Sequence, residues 1–160
     1  SLPYWRAFIN ALKLPAIDQR GITLCFVYSI MCAVDSSFRE RHLPFEGLLE
    51  ALVRLATIIP LPTDALLSGA GFKHAGTLLA SLETGGDSTA IDQLAVAQGC
   101  EWGGSPDTAK GGAMHRRVDH LVDIIVRKIK GLKEADEPLG LLTRREFRAW
   151  ALRNLPYASD

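Results

Sequence analysis

The chain has no excess of charge and no long apolar run, and these two absences exclude several kinds of protein. It contains 18 basic and 18 acidic residues, so its formal net charge is zero. Surfaces that bind nucleic acid or anionic membranes usually carry a basic excess, and we expect neither partner. The longest apolar run, Ile22–Val34, is shorter than the roughly 20 residues that span a bilayer. No secretory signal peptide is visible, and we interpret the run as a core helix.

Cysteine is scarce, and its pattern argues against disulfides. The three residues are Cys25, Cys32 and Cys100, and none belongs to a C-x-x-C pair. An odd number of cysteines leaves at least one thiol unpaired, and buried free thiols are common in apolar runs. We therefore expect a reduced, cytoplasmic protein. A catalytic role for one of these thiols would need a histidine close in space, so an enzyme is the alternative and a non-enzymatic protein is the prediction.

Other motifs for metal or phosphate chemistry are missing as well. The four histidines, at positions 42, 74, 115 and 120, do not combine with acids or cysteines at metal-ligand spacings. The glycine-rich stretches at 67–77 and 100–112 lack the Gly-Lys-Ser/Thr ending of a phosphate loop. We therefore predict no cofactor.

Helical periodicity dominates what is present. Apolar residues recur at intervals of three and four, as in helices that pack on one face, and no segment alternates like a strand. We predict helices over Pro3–Leu12, Thr23–Val34, Pro44–Ile59, Thr63–Leu67, Phe72–Leu82, Ser88–Gln98 and Ala113–Lys133, and a last helix after Thr143. Cys100–Gly112 is expected to be a mobile surface loop. The fold class is all-α, in a single domain over residues 1–160.

Residues Ala135–Phe147 keep the spacing of a calcium-binding loop. In an EF-hand, a 12-residue loop provides oxygen ligands at positions 1, 3, 5, 7, 9 and 12, and glycine at position 6 makes the sharp turn. With Gly140 at position 6, Leu142 falls at position 8 and Glu146 at position 12. This stretch resembles a degenerate EF-hand loop. The resemblance implies a helix-loop-helix that keeps its bend.

Two ligand positions of the loop at Ala135–Glu146, called the second loop below, lack a side-chain oxygen. Ala135 stands at position 1 and Leu139 at position 5. We therefore predict a loop without a bound ion. The alternative is a Ca²⁺-responsive adaptor in which Asp136, Glu137 and Glu146 are the ligands.

A partner unit is expected because EF-hands usually occur in pairs, and Cys32–Leu52 resembles a degenerate first one. Two registers compete. A loop that starts at Ser36 puts Leu43 at position 8, whereas a loop that starts at Asp35 puts His42 there. We prefer the first register because position 8 packs between the paired loops and tolerates charge poorly. We expect no calcium in either register.

The string LPFEGLLEALVRLA, residues 43–56, resembles the exiting helix of EF-hand-like domains in cytoskeletal and ciliary or flagellar proteins. The resemblance implies two degenerate EF-hand-like units with additional helices between them. The first unit covers about 22–59, the insert 60–112 and the second unit about 113–155. It also implies a cytoskeletal or flagellar setting. The start at Ser1, without Met, suggests a domain cut from a longer chain.

The predicted function is a non-enzymatic interaction or scaffold module that binds a protein, either an amphipathic helix or an acidic peptide. Arg144, Arg145 and Arg148 are expected on one exposed side of the last helix, where they would bind an acidic partner. Trp5 and Phe8 share one face of the first helix. They could fill an apolar groove in cis, or that helix could be an ordinary packing helix. The oligomeric state is not predicted.

The helix over Ala113–Lys133 is expected to turn its cations to solvent. Its apolar stripe repeats at intervals of three and four, which predicts that the opposite face is polar and hydrated. The cations assigned to that outer face are Arg116, Arg117, Arg127, Lys128 and Lys130.

Overall fold

Every regular element that the structure describes is a helix, as the periodicity predicts. A computed structural model describes residues 1–31, 42–84, 113–132 and 137–156. Its helices are α1 (Leu2–Leu12), α2 (Gln19–Met31), α3 (Phe45–Ile58), α4 (Asp64–Gly69), α5 (Ala75–Thr84), α6 (Met114–Lys130) and α7 (Arg144–Asn154). These ranges contain no strand. The all-α class is therefore confirmed.

The helix starts follow local capping chemistry. Thr63 caps α4, since its hydroxyl accepts a hydrogen bond from Leu66 N at 3.2 Å, as predicted. Helix α2 begins at Gln19, earlier than the predicted Thr23, because the Asp18 carboxylate accepts a 2.6 Å hydrogen bond from Gly21 N. A side-chain oxygen that satisfies a first-turn amide in this way fixes the start of a helix.

Two helix ends differ from prediction because glycines in the left-handed region terminate them. Gly131 has φ 71°, and Leu132 N donates to Arg127 O at 3.1 Å, so α6 ends at Lys130 and not at Lys133. Gly71 has φ 76°, and Phe72 N donates to Leu67 O at 2.9 Å. This six-to-one bond is the Schellman pattern. Phe72 therefore completes the end of α4, and α5 begins later than predicted, at Ala75.

Helix α6 lies at the centre of the described structure. It packs against α1, α3, α5 and α7, while α2 packs against α1 and α3. One apolar cluster contains buried side chains from all seven of these helices. Its fully buried members include Ile9, Leu12, Ile22, Leu55, Ile59, Leu61, Leu79, Leu121 and Ile124. Because α6 packs against four other helices, its polar side chains can reach the ends of several of them.

The expected EF-hand-like units correspond to α2 and α3, and to α6 and α7. Helices α4 and α5 belong to the insert between them. Residues 36–41 of the first loop lie outside the described residues, as do the predicted helix over Ser88–Gln98 and the predicted loop over Cys100–Gly112. The EF-hand-like character of the two units stays a prediction. None of the described helices combines the length and the apolarity that crossing a membrane requires.

Candidate functional site

The three arginines predicted to bind a partner lie together at the start of α7. Arg144, Arg145 and Arg148 are all exposed, and we call them the arginine face. Across the residues that the structure describes, none of the three has an ion pair or a side-chain hydrogen bond. Within that part of the chain, no acceptor occupies the donors of their guanidinium groups.

The aromatic residues predicted as a partner site lie within the fold. Trp5 is buried, and its indole Nε1 donates a 2.8 Å hydrogen bond to Ile22 O. Phe8 packs against α7, with its ring centroid 6.2 Å from that of Phe147 and 5.8 Å from that of Trp150. Helix α1 therefore packs against other helices of the chain, and a partner-binding role for Trp5 and Phe8 stays a prediction. Phe147 remains 39% exposed at the edge of this cluster.

The second loop has the turn and the cap that its sequence predicts. Gly140 has φ 55°, in the left-handed region that favours glycine. The Thr143 hydroxyl accepts a bond from Glu146 N at 3.2 Å, and Thr143 N donates to the Glu146 carboxylate at 2.7 Å. This reciprocal pair is the capping box. Hydrogen bonds from Thr143, chiefly from its hydroxyl, hold the pKa of Glu146 below its usual range, and the Lys130 charge adds to the effect.

Two cations from α6 bind the carbonyl groups of this loop. Lys130 Nζ donates to Leu139 O at 2.9 Å and lies 3.7 Å from Glu146 Oε1. Arg127 Nη2 donates to Glu137 O at 3.2 Å. A Cβ atom on Gly140 would lie 3.4 Å from Lys130 Nζ, so the ammonium group sits against the turn. Two positive charges of α6 therefore lie against the carbonyl groups of this loop, and one of them also lies beside Glu146.

The described residues contain no group of three or more His, Cys, Asp or Glu side chains arranged to hold a metal ion. Glu146 is engaged with Thr143 and Lys130, and Glu137 contributes its backbone carbonyl to Arg127. Asp136, the third ligand of the calcium alternative, lies outside the described residues. Two histidines each lie beside a single carboxylate: His120 Nε2 is 3.1 Å from Asp64 Oδ1, and His74 Nδ1 is 3.6 Å from Asp123 Oδ1.

The prediction that the α6 cations face solvent is wrong for Arg117 and Arg127, which are buried. Arg117 Nε donates to Ala56 O at 2.9 Å and its Nη2 donates to Ile59 O at 3.1 Å. It thereby satisfies carbonyl groups at the end of α3 that have no partner within the helix. The sequence shows a cation on a helix, but which carbonyl groups lie nearby depends on residues about 60 positions away.

Asp123 and Arg127 form a buried pair on α6 that also fixes the start of α5. Arg127 is 2% exposed, and its Nε donates to Asp123 Oδ1 at 3.1 Å. The other carboxylate oxygen of Asp123 accepts a 3.0 Å bond from Gly76 N in the first turn of α5. A Cβ at Gly76 would lie 2.8 Å from Arg127 Cδ. Only glycine allows the two helices to approach this closely at that point.

The remaining α6 cations are also engaged, although they are more exposed. Arg116 donates to both oxygens of Asp64, at 3.0 and 2.8 Å, and its Nη1 is 3.1 Å from Asp119. The Arg116 guanidinium holds the pKa of Asp64 below its usual range. Lys128 Nζ donates to Lys13 O at 3.1 Å and to Glu83 at 3.0 Å. Within the described structure, the basic residues of α6 therefore serve internal contacts.

A cavity of about 740 Å³ opens beside the start of α2. Its lining consists of Ala16, Ile17, Asp18, Arg20, Gly21, Leu24 and Ile58. The one carboxylate in this lining, on Asp18, is used to cap α2. No residue predicted from the sequence as a partner site lines the cavity.

Cys25 is a buried free thiol. Burial raises the pKa of the Cys25 thiol to about 11, and the Arg54 charge opposes that shift only in part. Since the thiolate is the reactive form, the raised pKa makes Cys25 a poor nucleophile at neutral pH. Cys32 and Cys100 lie outside the described residues.

We expect Cys25 in the folded protein to react with a thiol reagent at least about 100-fold more slowly than in urea. The pKa of Cys25 is raised from 9.0 to about 11, and each pKa unit lowers the thiolate fraction about tenfold at neutral pH. Mass spectrometry of peptides would follow each cysteine separately. Labelling of Cys25 at the same rate in the native and the unfolded protein would contradict its placement in the core.

No protein-family model, curated protein or solved structure matches the chain. The EF-hand-like resemblance therefore rests on the residues of the two loops and their flanking helices.

Proposed function

We propose that the chain is a non-enzymatic protein-interaction module whose arginine face on α7 binds an acidic helix or peptide. The observation that carries this proposal is the difference between the cations of α6 and α7. Every lysine and arginine of α6 contacts an acid or a carbonyl group of the chain itself. Arg144, Arg145 and Arg148 contact none among the described residues.

The position of the arginine face within α7 supports a binding role. Arg144 and Arg145 occupy the first two helical positions after the Thr143 cap. Cations at a helix N-terminus oppose the macrodipole and cost about 0.3–1 kcal/mol each. Departures from such local rules concentrate at functional sites. A carboxylate bound to this face would relieve the cost, since it would meet two guanidinium groups and the positive end of the helix.

The mechanism we propose is static. Lys130 and Arg127 hold the second loop through the carbonyl groups of Leu139 and Glu137, and the capping box sets where α7 begins. The arginine face is therefore held at a fixed angle to α6 without a metal ion. The charges of Lys130 and Arg127 also repel Ca²⁺ from the second loop. This repulsion favours the static mechanism over the calcium-responsive adaptor. The cytoskeletal or flagellar setting remains a proposal that rests on the sequence resemblance.

The test replaces the arginine face with neutral residues. We expect the triple variant Arg144→Gln, Arg145→Gln and Arg148→Gln to bind a fluorescent glutamate-rich peptide about 30-fold more weakly than the native chain. Three exposed ion pairs of about 0.7 kcal/mol each give this factor. Fluorescence anisotropy at low salt would measure the affinity, because screening weakens such pairs at high salt.

A matched control separates this site from general attraction by charge. The triple variant Lys13→Gln, Arg20→Gln and Lys73→Gln changes the net charge equally, at exposed positions outside α7. It should keep the native affinity. Neutralising the arginine face should also leave the free energy of unfolding unchanged or slightly raised, because it removes cations from a helix N-terminus. Equal losses of affinity in both triple variants would contradict the proposal.

A further inference from the structure

The exposed side of α7 carries more than arginines. Arg145, Arg148, Ala149 and Leu152 follow one another at intervals of three, one and three residues, so they form one stripe opposite the buried Trp150 and Ala151. All four are exposed, and Leu152 is 52% exposed. We call these four residues the α7 stripe. It begins with charge and ends, about 10 Å further along the helix, with apolar surface.

We propose that the α7 stripe is a docking surface for an amphipathic acidic helix, with carboxylates against Arg145 and Arg148 and an apolar side chain over Ala149 and Leu152. This inference rests on the proposed function and names the form of its partner. An extended acidic tail would use the arginines alone. A helical partner can place carboxylates and an apolar side chain on one face, because residues three and four apart on a helix share a face.

The small residue in the stripe supports a helical partner. Ala149 lies between the two arginines and Leu152, and its side chain stops at Cβ. Helix pairs approach to 8–10 Å depending on the side chains at the contact, so an alanine there permits a close approach. The apolar group that follows, Leu152, would then be covered by the partner.

A second exposed leucine lies just before the arginine face. Leu141, in the loop that leads into α7, is 90% exposed. Leucines therefore precede and follow the three arginines in sequence. A partner that buried either leucine would gain hydrophobic free energy in addition to charge pairing.

The charges of the chain favour a different protein over a second copy as the occupant. On the helices that the structure describes, most carboxylates already lie beside a cation of the same chain: Glu50, Asp64, Glu83, Asp119 and Glu146. A described helix of a second copy would have to break at least one such pair to present two carboxylates to the α7 stripe. An acidic helix of another protein carries no such cost.

The experiment uses two synthetic peptides of about 20 residues with identical composition and charge. In one peptide, the glutamates and leucines share a helical face with the spacing of the α7 stripe. In the other, the leucines are moved to the opposite face. We expect the native chain to bind the first peptide about tenfold more tightly than the second, since burial of one leucine supplies at least that factor. Leu152→Gln should abolish the difference and leave the weaker, salt-sensitive binding in place.

The outcomes separate this inference from the proposed function. Equal binding of both peptides, unaffected by Leu152→Gln, would overturn the amphipathic helix and leave the acidic partner standing. Binding of neither peptide at low salt would overturn both proposals. Sedimentation of the chain alone should show a monomer. A dimer that Leu152→Gln dissociates would assign the stripe to a second copy and overturn the inference.

Discussion

Replacing Arg117 with methionine is expected to lower the free energy of unfolding by about 3 kcal/mol. The Arg117 side chain is buried and donates to Ala56 O and Ile59 O, at the end of α3. Methionine fills a similar volume but donates no hydrogen bond, so these carbonyl groups would be left without their partner. Each buried acceptor without a partner costs about 1–3 kcal/mol. Urea unfolding followed by far-UV circular dichroism would measure the change.

Arg145→Met is the matched control for this experiment. It makes the same substitution at an exposed arginine that has no ion pair or side-chain hydrogen bond among the described residues. The expected change is within about 0.5 kcal/mol, as for most surface substitutions. If both variants unfolded at the same urea concentration, Arg117 would not be capping α3 as the structure describes.

Asp123→Asn is expected to destabilise the protein by about 3 kcal/mol. The substitution keeps the shape of the side chain and removes its charge. Arg127, which is 2% exposed, would then lose the carboxylate that its Nε binds, while its own charge stays buried. Removal of one partner of a buried pair typically costs about 3–5 kcal/mol. The amide oxygen of the new asparagine could still accept the hydrogen bond from Gly76 N. The expected loss of stability therefore lies at the lower end of this range.

Two further variants test the assignment of this effect to the buried pair. Asp119→Asn removes an exposed partner of Arg116 on the same helix and should change stability by less than about 1 kcal/mol. Adding Arg127→Met to Asp123→Asn should cost less than the sum of the two single changes, since the pair is lost together. Strict additivity would show that Asp123 and Arg127 do not act as a pair.

The parts of the fold that depend on neighbours in sequence could be predicted. Thr63 and the Thr143–Glu146 box lie within three residues of the amides they satisfy, and both caps are confirmed. Gly71 and Gly131 are local signals too, but their role as left-handed helix ends was missed. A glycine that follows an apolar helical pattern indicates a C-terminus, which would have placed both ends correctly.

The internal contacts of α6 could not be read from the sequence. Arg117 reaches carbonyl groups about 60 residues earlier, and Asp123 reaches an amide 47 residues earlier. Helical periodicity assigns charged residues to the solvent side because charges are rarely buried. Tertiary packing overrides that rule wherever helix ends supply partners. The exposure of Arg144, Arg145 and Arg148 was predicted correctly, since no helix end meets them among the described residues.

The central claim is that the bend of the second loop is held by Lys130 and Arg127 and needs no metal ion. Thermal unfolding in millimolar CaCl₂, compared with a chelator and with MgCl₂ at equal ionic strength, tests it most directly. We predict the same unfolding midpoint in all three solutions, because a ligand that does not bind the native state adds no stability. A midpoint about 5 °C or more higher in CaCl₂ alone would mean that calcium binds the native chain and stabilises it by at least about 1–2 kcal/mol. That result would contradict the account.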